Sequence, residues 1–181
     1  MRKSKKAEES RRSFLKKGVV ASSFFIVPRY VLGGTGYTAP SDRLNIAAIG
    51  AGGKGSSDIF NASVKGRERI AALCDVDFSG SAKKSVANFP DAKLYKDYRV
   101  MLDEMKDIDA VTISTPDHSH GPAAMYAMQR GKHVYVQKPM THDIYEARIL
   151  TEAAKKYKVV TQMGNQGSSN DASRTMKEWY E

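Results

Sequence analysis

From Leu44 onward, short runs of apolar and β-branched residues alternate with longer stretches in which apolar residues recur every three or four positions. Runs of the first kind are typical of buried strands, and stretches of the second kind are typical of amphipathic helices. The pattern predicts strands at 45–49, 69–74, 110–114, 133–137 and 159–163. It predicts helices at 56–64, 79–88, 122–130 and 144–157. Strands that alternate with helices in this way predict an α/β fold with a doubly wound parallel sheet.

The start of the chain follows a different pattern, with a polar, strongly basic segment and then a short apolar stretch at 19–27. This order is typical of a secretory signal, and so short a stretch cannot cross a bilayer as a helix. The arginine pair at 11–12, followed by Phe14 and Leu15, matches the twin-arginine signal pattern. We therefore expect residues 1–40 to be a twin-arginine signal peptide and linker, and the protein to be periplasmic or otherwise exported by the twin-arginine translocation machinery.

The processing of this leader stays open. No small-x-small triplet stands at the end of the apolar stretch, so cleavage could fall among residues 33–36, or the leader could persist as an anchor. The twin-arginine route exports proteins that have already folded, and cells tend to use it when a cofactor must be loaded in the cytoplasm. The leader therefore predicts that the rest of the chain binds a cofactor.

The charge of the chain follows the same division. The 181 residues carry a net charge of +9, but residues 41–181 account for only +2 of it. The main body therefore lacks the basic surface that nucleic-acid binding requires, and no nucleic-acid partner is predicted. A mean hydropathy of −0.49 excludes a multi-span membrane protein. Cys74 is the only cysteine, so no intrachain disulfide can form.

A glycine-rich loop lies directly between the first predicted strand and the first predicted helix. Its glycines are Gly50, Gly52, Gly53 and Gly55, in a pattern that is typical of dinucleotide-binding loops. The first glycine of that pattern permits a tight turn, the second lets the backbone approach a pyrophosphate, and the third lets the helix pack close to the strand. The N-terminus of the helix then offers free N–H groups to the phosphates. A purely structural glycine-rich turn is the alternative.

An acidic residue stands where the ribose of a dinucleotide would need one. Asp75 ends the second predicted strand, 20 residues beyond Gly55, and its carboxylate can accept hydrogen bonds from the ribose hydroxyls. The same carboxylate would repel a 2′-phosphate, and no arginine follows it closely. The expected cofactor is therefore NAD, and NADP is less favoured.

Two longer motifs carry a family resemblance. One is the run Ile113-Ser-Thr-Pro-Asp-His-Ser-His120, and the other is the run Gly131-Lys-His-Val-Tyr-Val-Gln-Lys-Pro139. Together with the glycine loop and Asp75, they resemble the glucose–fructose oxidoreductase/inositol dehydrogenase/MocA (Gfo/Idh/MocA) family over about residues 44–166. The leader and the run Met163-Gly-Asn-Gln-Gly167 look like the exported branch of that family. The resemblance implies a Rossmann NAD(P)-binding domain, which we place at residues 41–170.

The resemblance also implies roles for single residues. Thr115, Pro116 and His120 would line the nicotinamide side of the cofactor, and Asn165 would contact the nicotinamide ribose or carboxamide. Lys138 corresponds to the lysine of the family's Glu-Lys-Pro motif, which lies near the substrate hydroxyl. Its ammonium could hydrogen-bond the hydroxyl oxygen or shuttle a proton, so Lys138 is the candidate catalytic residue. A polar cap at the end of a strand is the alternative for Asn165.

Gln137 departs from the family pattern, because many members have a glutamate at this position. An amide can still hydrogen-bond a ribose or amide group, but it cannot carry a charge or take a proton. The substitution puts an acid–base role for this position in doubt and leaves cofactor binding possible. No metal site is predicted, because His118 and His120 supply too few ligands.

Members of this family have a second, α+β domain that carries the substrate site, and we expect that domain to be absent here. Residues 171–181 would be the start of the helix that leads into it. The resemblance implies an oxidoreductase that transfers hydride from a sugar or polyol hydroxyl to NAD. The alternatives are an NAD-dependent, redox-assisted glycosidase of the same family and, for this chain alone, an inactive nucleotide-binding module. The oligomeric state is left open.

Overall fold

The computed structural model describes residues 38–181. The arginine pair and the apolar stretch of the predicted leader lie outside the described residues. Residues 41–181 form one unit around a six-stranded, wholly parallel sheet. Its strands are β1 (Asn45–Ile49), β2 (Arg69–Cys74), β3 (Lys93–Tyr95), β4 (Ala110–Ile113), β5 (His133–Gln137) and β6 (Thr161–Gly164). Their order across the sheet is β3-β2-β1-β4-β5-β6.

Helices connect the strands. They are α1 (Lys54–Ala62), α2 (Lys83–Asn88), α3 (Tyr98–Glu104), α4 (His120–Met128), α5 (Ile144–Tyr157) and α6 (Asp171–Tyr180). Short 3-10 helices lie at Pro40–Asp42, Asp117–Ser119 and Gln166–Ser169. In the part of the chain that the structure describes, no helix is both long and apolar enough to cross a membrane.

Alternate residues of β1 supply two separate hydrophobic clusters. Ile46 and Ala48 belong to one cluster, together with Ile59 of α1. Ala47 and Ile49 belong to the other, with side chains from α3, α4 and α5. Because successive residues of a strand point to opposite faces of the sheet, the two clusters lie on opposite faces. The sheet is therefore covered by helices on both sides, as the apolar runs of its strands require.

The doubly wound parallel sheet predicted from the sequence is confirmed. The strands predicted at 45–49, 69–74 and 133–137 and the helix predicted at 144–157 have the predicted bounds. The other predicted elements are displaced by one or two residues at their ends, except the helix predicted at 79–88.

That helix begins only at Lys83, so the prediction of its start is wrong. The cause is a local turn, in which the Asp77 carboxylate accepts hydrogen bonds from the Ser79 backbone N–H at 2.8 Å and from the Ser79 hydroxyl at 2.6 Å. Side-chain bonds of this kind offer the backbone an alternative to a helix. The sequence pattern also missed β3 and α3.

Candidate functional site

A cleft of about 670 Å³ opens at the carboxyl ends of the strands, next to β1 and the adjoining ends of β2 and β4. The strand order reverses between β1 and β4, and ligands of open parallel sheets bind at such a point. Of the predicted site residues, six line this cleft: Gly50, Gly52, Gly53, Asp75, Thr115 and Pro116. The lining does not include Gly55, His120, Gln137, Lys138 or Asn165.

Two glycines of the loop are required by the packing of the backbone. Gly50 has a φ of +84°, and a Cβ there would lie 2.6 Å from the carbonyl oxygen of Ser114 on the neighbouring strand. A Cβ on Gly55 would overlap the carbonyl oxygen of Gly50. The loop therefore turns tightly against β4, and α1 starts directly over β1, for the reasons that the glycine pattern predicts.

The N-terminus of α1 is suited to bind a phosphate. Its N-cap residue is Gly53, which lines the cleft and has no side chain that could cap the helix. The first N–H groups of a helix have no partner within the helix, and the helix dipole favours negative charge there. Lys54, which was not identified from the sequence, lines the same cleft, and its ammonium forms an ion pair with Asp58 at 2.7 Å. The pyrophosphate of a dinucleotide fits the N–H groups at this helix end.

Asp75 is fixed by the loop that it faces. Its Oδ2 accepts hydrogen bonds from the backbone N–H groups of Ala51 at 2.8 Å and Gly52 at 3.1 Å. Its Oδ1 accepts one from the N–H of Asp77 at 3.0 Å. A carboxylate has about four acceptor positions, so Oδ1 keeps one for a ribose hydroxyl. Asp75 thus lies in the cleft with an acceptor position open to a ligand, and its contact with a ribose stays a prediction.

The segment that joins β3 to α3 also borders the cleft, which the sequence did not indicate. Its lining residues are Lys96, Asp97, Tyr98 and Arg99. Arg99 donates to Asp97 through Nη2 at 2.6 Å and through Nε at 2.9 Å. Hydrogen bonding from Arg99 lowers the pKa of the Asp97 carboxyl below its ordinary value. The hydrogen bonds to Asp97 thus occupy the Arg99 guanidinium. The sequence would have indicated residues 96–99 as part of the site only if β3 had been recognised.

Cys74 lies buried at the end of β2 and touches the cleft. Burial raises the pKa of its thiol to about 12, and the nearby Asp97 and Asp75 carboxylates act in the same direction. A thiol with so high a pKa is protonated at neutral pH and is a poor nucleophile. We therefore assign no chemical role to Cys74.

His120 is buried at the start of α4 and links two backbone segments. Its Nδ1 lies 2.6 Å from the carbonyl oxygen of Pro139, and its Nε2 lies 2.8 Å from the carbonyl oxygen of Thr115. Both ring nitrogens therefore face backbone, and the side chain ties the end of β4 to the turn that follows β5. A direct contact between His120 and a cofactor stays a prediction.

Gln137 is buried at the end of β5. Its Nε2 donates to Oδ2 of Asp58 at 2.8 Å, and its Oε1 accepts from the backbone N–H of Lys138 at 3.2 Å. Asp58 lies in α1 and was not identified from the sequence. Lys138 is exposed and is joined to Pro139 by a cis peptide bond.

Asn165 is exposed directly after β6, at the same edge of the sheet as the cleft. Its backbone N–H donates to the carbonyl oxygen of Met163 at 2.9 Å. The roles of Lys138 and Asn165 toward substrate and cofactor stay predictions. Among residues 38–181, no group of three or more His, Cys, Asp or Glu side chains is arranged to hold a metal ion.

Comparison with known proteins assigns this fold and loop to a family. Residues 44–165 match the family model of the Gfo/Idh/MocA proteins, described as an oxidoreductase family with an NAD-binding Rossmann fold. The chain belongs to this family. The resemblance stated from the sequence motifs is confirmed, and the described sheet is the NAD-binding Rossmann domain of a Gfo/Idh/MocA oxidoreductase.

Three relatives illustrate the range of the Gfo/Idh/MocA family. A glycosyl hydrolase family 109 protein from Solibacter usitatus is 34% identical over 116 residues, which are 59% of this chain and 26% of that protein. The crystal structure of myo-inositol 2-dehydrogenase from Lactobacillus plantarum matches with a TM-score of 0.67 at 26% identity, covering 75% of this chain and 40% of that one. The WlbA dehydrogenase from Chromobacterium violaceum, solved with NADH and UDP-GlcNAcA, matches with a TM-score of 0.66 at 25% identity, covering 75% and 39%.

The similarity is limited in extent. This chain spans about a quarter of the length of the curated relatives that it matches, and about 40% of these two solved structures. The residues that match the family model contain the glycine loop and all six strands. The comparisons therefore establish the NAD-binding domain.

Proposed function

We propose that this chain forms the NAD-binding domain of an exported oxidoreductase that acts on a hydroxyl of a sugar or polyol. The observation that carries the proposal is the cleft, in which the glycine loop, the N-terminus of α1 and the Asp75 carboxylate lie together. These groups offer complementary contacts to a pyrophosphate and an adenosine ribose.

NAD is the proposed cofactor, in preference to NADP. A 2′-phosphate on the adenosine ribose would lie against the Asp75 carboxylate and would be repelled by it. Arg99 lines the same cleft but is engaged by Asp97 through two short hydrogen bonds. Lys96 is then the cation of that segment that is left to interact with a phosphate, and it is exposed to solvent. An exposed lysine compensates such a repulsion weakly.

The turn after β5 carries Lys138, the residue proposed to assist the oxidation of the substrate hydroxyl. When bound, NAD supplies the hydride acceptor. Lys138 would donate a hydrogen bond to the oxygen of the hydroxyl that is oxidised and would stabilise the negative charge that develops there. His120 contacts the carbonyl oxygen of Pro139, next to Lys138, and the carbonyl oxygen of Thr115, which follows β4. It therefore ties the turn that carries Lys138 to the neighbouring strand end.

The substrate class rests on the relatives. A myo-inositol 2-dehydrogenase shares this fold at 26% identity, and a dehydrogenase solved with a UDP-sugar shares it at 25% identity. Both names point to hydroxyl groups on a ring. For this chain we accordingly propose a sugar or polyol, with the leader at residues 1–40 taking the folded protein out of the cytoplasm.

A second candidate is glycoside cleavage with a tightly held NAD that is reduced and reoxidised within each turnover. Relatives described as glycosyl hydrolase family 109 proteins, at 34% and 33% identity, favour it. The two candidates need the same cofactor site and differ in the net reaction. Incubation of the full-length protein with NAD and a panel of sugars, polyols and an aryl glycoside separates them. Accumulation of NADH supports the dehydrogenase, and release of the aryl group without net NADH supports the glycosidase. Cofactor binding with neither reaction supports an inactive nucleotide-binding module.

The cofactor proposal is tested by calorimetric titration of the full chain with NAD and with NADP. Because of the repulsion at Asp75, we expect NAD to bind at least about tenfold more tightly, which corresponds to about 1.4 kcal/mol. Titration with ADP-ribose, which lacks the nicotinamide, serves as the control and should also give binding. Equal affinity for NAD and NADP would contradict the role of Asp75, and the lack of any binding would overturn the proposed function.

A further inference from the structure

A buried polar network connects α1 to the ends of β4 and β5. At its centre is Asp58, which is only 7% exposed. Oδ2 of Asp58 accepts hydrogen bonds from Gln137 Nε2 at 2.8 Å and from the Ser114 hydroxyl at 2.9 Å. Its Oδ1 forms an ion pair with the Lys54 ammonium at 2.7 Å. One carboxylate therefore joins the helix that starts at the glycine loop to the two strand ends on the β4 side of the cleft.

The network fixes the orientation of the Gln137 amide. The Nε2 group must face the Asp58 carboxylate, because only the NH₂ side of an amide can donate to it. The Oε1 atom consequently faces the other way, where it accepts the backbone N–H of Lys138. Exchange of the two amide atoms would place an oxygen against a carboxylate oxygen and an NH₂ group against an N–H.

The same contact explains why residue 137 is an amide in this chain. A glutamate there would bring two carboxylates to about hydrogen-bonding distance in a buried place, and like charges so close disfavour ionisation of both. Gly164 of β6 leaves the space that this amide occupies, since a Cβ there would lie 2.9 Å from Gln137 Nε2.

We propose that Asp58 is a positioning residue for the nicotinamide half of the cofactor site. It acts through Gln137 on the backbone of Lys138, and through Ser114 on the neighbouring Thr115, which lines the cleft. A buried carboxylate that is held by three polar partners keeps those partners in one arrangement. The inference deepens the proposed function and rests on it, because it assumes that the cleft binds a dinucleotide.

The test is a cycle of variants that exchanges the amide and the carboxylate. Gln137→Glu opposes two carboxylates, Asp58→Asn removes the charge, and the double variant restores one amide and one carboxylate in reversed positions. We expect Gln137→Glu to weaken NAD binding about tenfold or more, Asp58→Asn to weaken it less, and the double variant to return within about threefold of the parent. ADP binding should change less than about threefold throughout, because ADP has neither the nicotinamide nor the ribose that carries it.

Calorimetric titration of each full-chain variant with both ligands measures these changes, and thermal unfolding measures the stability of each variant. Asp109→Asn is the matched control. Its carboxylate accepts the backbone N–H of Asn45 at 2.8 Å at the opposite edge of the sheet, so NAD binding should not change. If Gln137→Glu does not fold, recovery of folded protein in the double variant supports the proposal.

A double variant that is no better than Gln137→Glu would overturn the pairing. Equal losses for NAD and ADP would overturn the positioning role and leave Asp58 a purely structural residue. If the parent binds neither ligand, the proposed function fails, whereas the unfolding temperatures of the four proteins still decide whether the two residues are a pair.

Discussion

The cleft residues show how far the environment of a side chain decides its chemistry. Cys74 and Asp75 are adjacent in sequence and both border the cleft. The carboxylate is held by three backbone N–H groups, whereas the thiol is buried beside acidic groups that oppose its ionisation. Of the two side chains, the Asp75 carboxylate offers an acceptor to a ligand, and the Cys74 thiol does not offer a nucleophile.

The raised pKa of Cys74 gives a prediction at this scale. With a pKa of about 12, the thiolate is about one part in 10,000 at pH 8, compared with about a quarter for an ordinary cysteine. We expect the native chain to react with a disulfide reagent at least about a hundredfold more slowly than the urea-unfolded chain, because the thiolate is the reacting form. Cys74 is the only cysteine, so the released chromophore reports on this thiol alone. Native and unfolded rates within tenfold of each other would contradict the raised pKa.

Sequence reasoning found the residues of the cleft that belong to a continuous motif, and missed those that depend on contacts between distant positions. The glycines of the loop follow one another after β1, and Gly50 and Gly55 have the close backbone contacts that the pattern predicts. Asp58 could not be found in this way. Its partner Gln137 lies 79 positions away, and a single sequence does not show which polar residues of a helix and a strand end will meet.

At the scale of elements, strands with uninterrupted apolar runs were predicted with their observed bounds. β1 and β2 are buried along nearly their whole length, so burial alone selects their residues. In β5, Val134 and Val136 are buried and His133 is exposed, which gives the period of two that is typical of a strand. β3 is a three-residue edge strand that pairs with β2, and none of its residues is buried. An element this short and exposed carries no periodic signal. α3 was missed with it, because a helix of seven residues is too short to show a clear helical repeat.

The C-terminus of α5 gives a prediction for an element. Lys158 caps this helix in the left-handed conformation, with a φ of +54°. A lysine is strained there because its Cβ approaches the backbone, whereas glycine is not. We expect Lys158→Gly to raise the free energy of unfolding by about 0.5 to 1 kcal/mol, as measured by urea denaturation.

A matched substitution lies three residues earlier. Lys155 is exposed within α5, where glycine is a poor helix former, so Lys155→Gly should lower the free energy of unfolding by about 1 kcal/mol. The same change of side chain should therefore have opposite signs at the two positions. A loss of stability at both would contradict the role assigned to the left-handed cap.

At the scale of the whole molecule, the charge and the function are carried by different parts of the chain. Most of the +9 charge belongs to residues 1–40, and the Rossmann domain that follows is nearly neutral. The charge of the chain therefore concerns the proposed export route, and the proposed contacts with the cofactor are local groups in the cleft.

The export proposal is tested with the full chain in cells that have the twin-arginine machinery. Replacement of both Arg11 and Arg12 by lysine should abolish export, because the machinery reads the arginine pair, and fractionation with immunodetection measures the outcome. Replacement of Lys5 and Lys6 by arginine keeps the charge outside the pair and should leave export unchanged. Normal export of the Arg11→Lys/Arg12→Lys variant would contradict a twin-arginine route.

The double attachment of Asp75 has a consequence for changing the cofactor preference of this protein. The carboxylate that would set the preference for NAD also holds, through Oδ2, the N–H groups of Ala51 and Gly52, and so the shape of the glycine loop. A substitution that removes the carboxylate to admit a 2′-phosphate would also release the loop that is proposed to bind the pyrophosphate. Redesign toward NADP thus requires a new anchor for the loop in the same step.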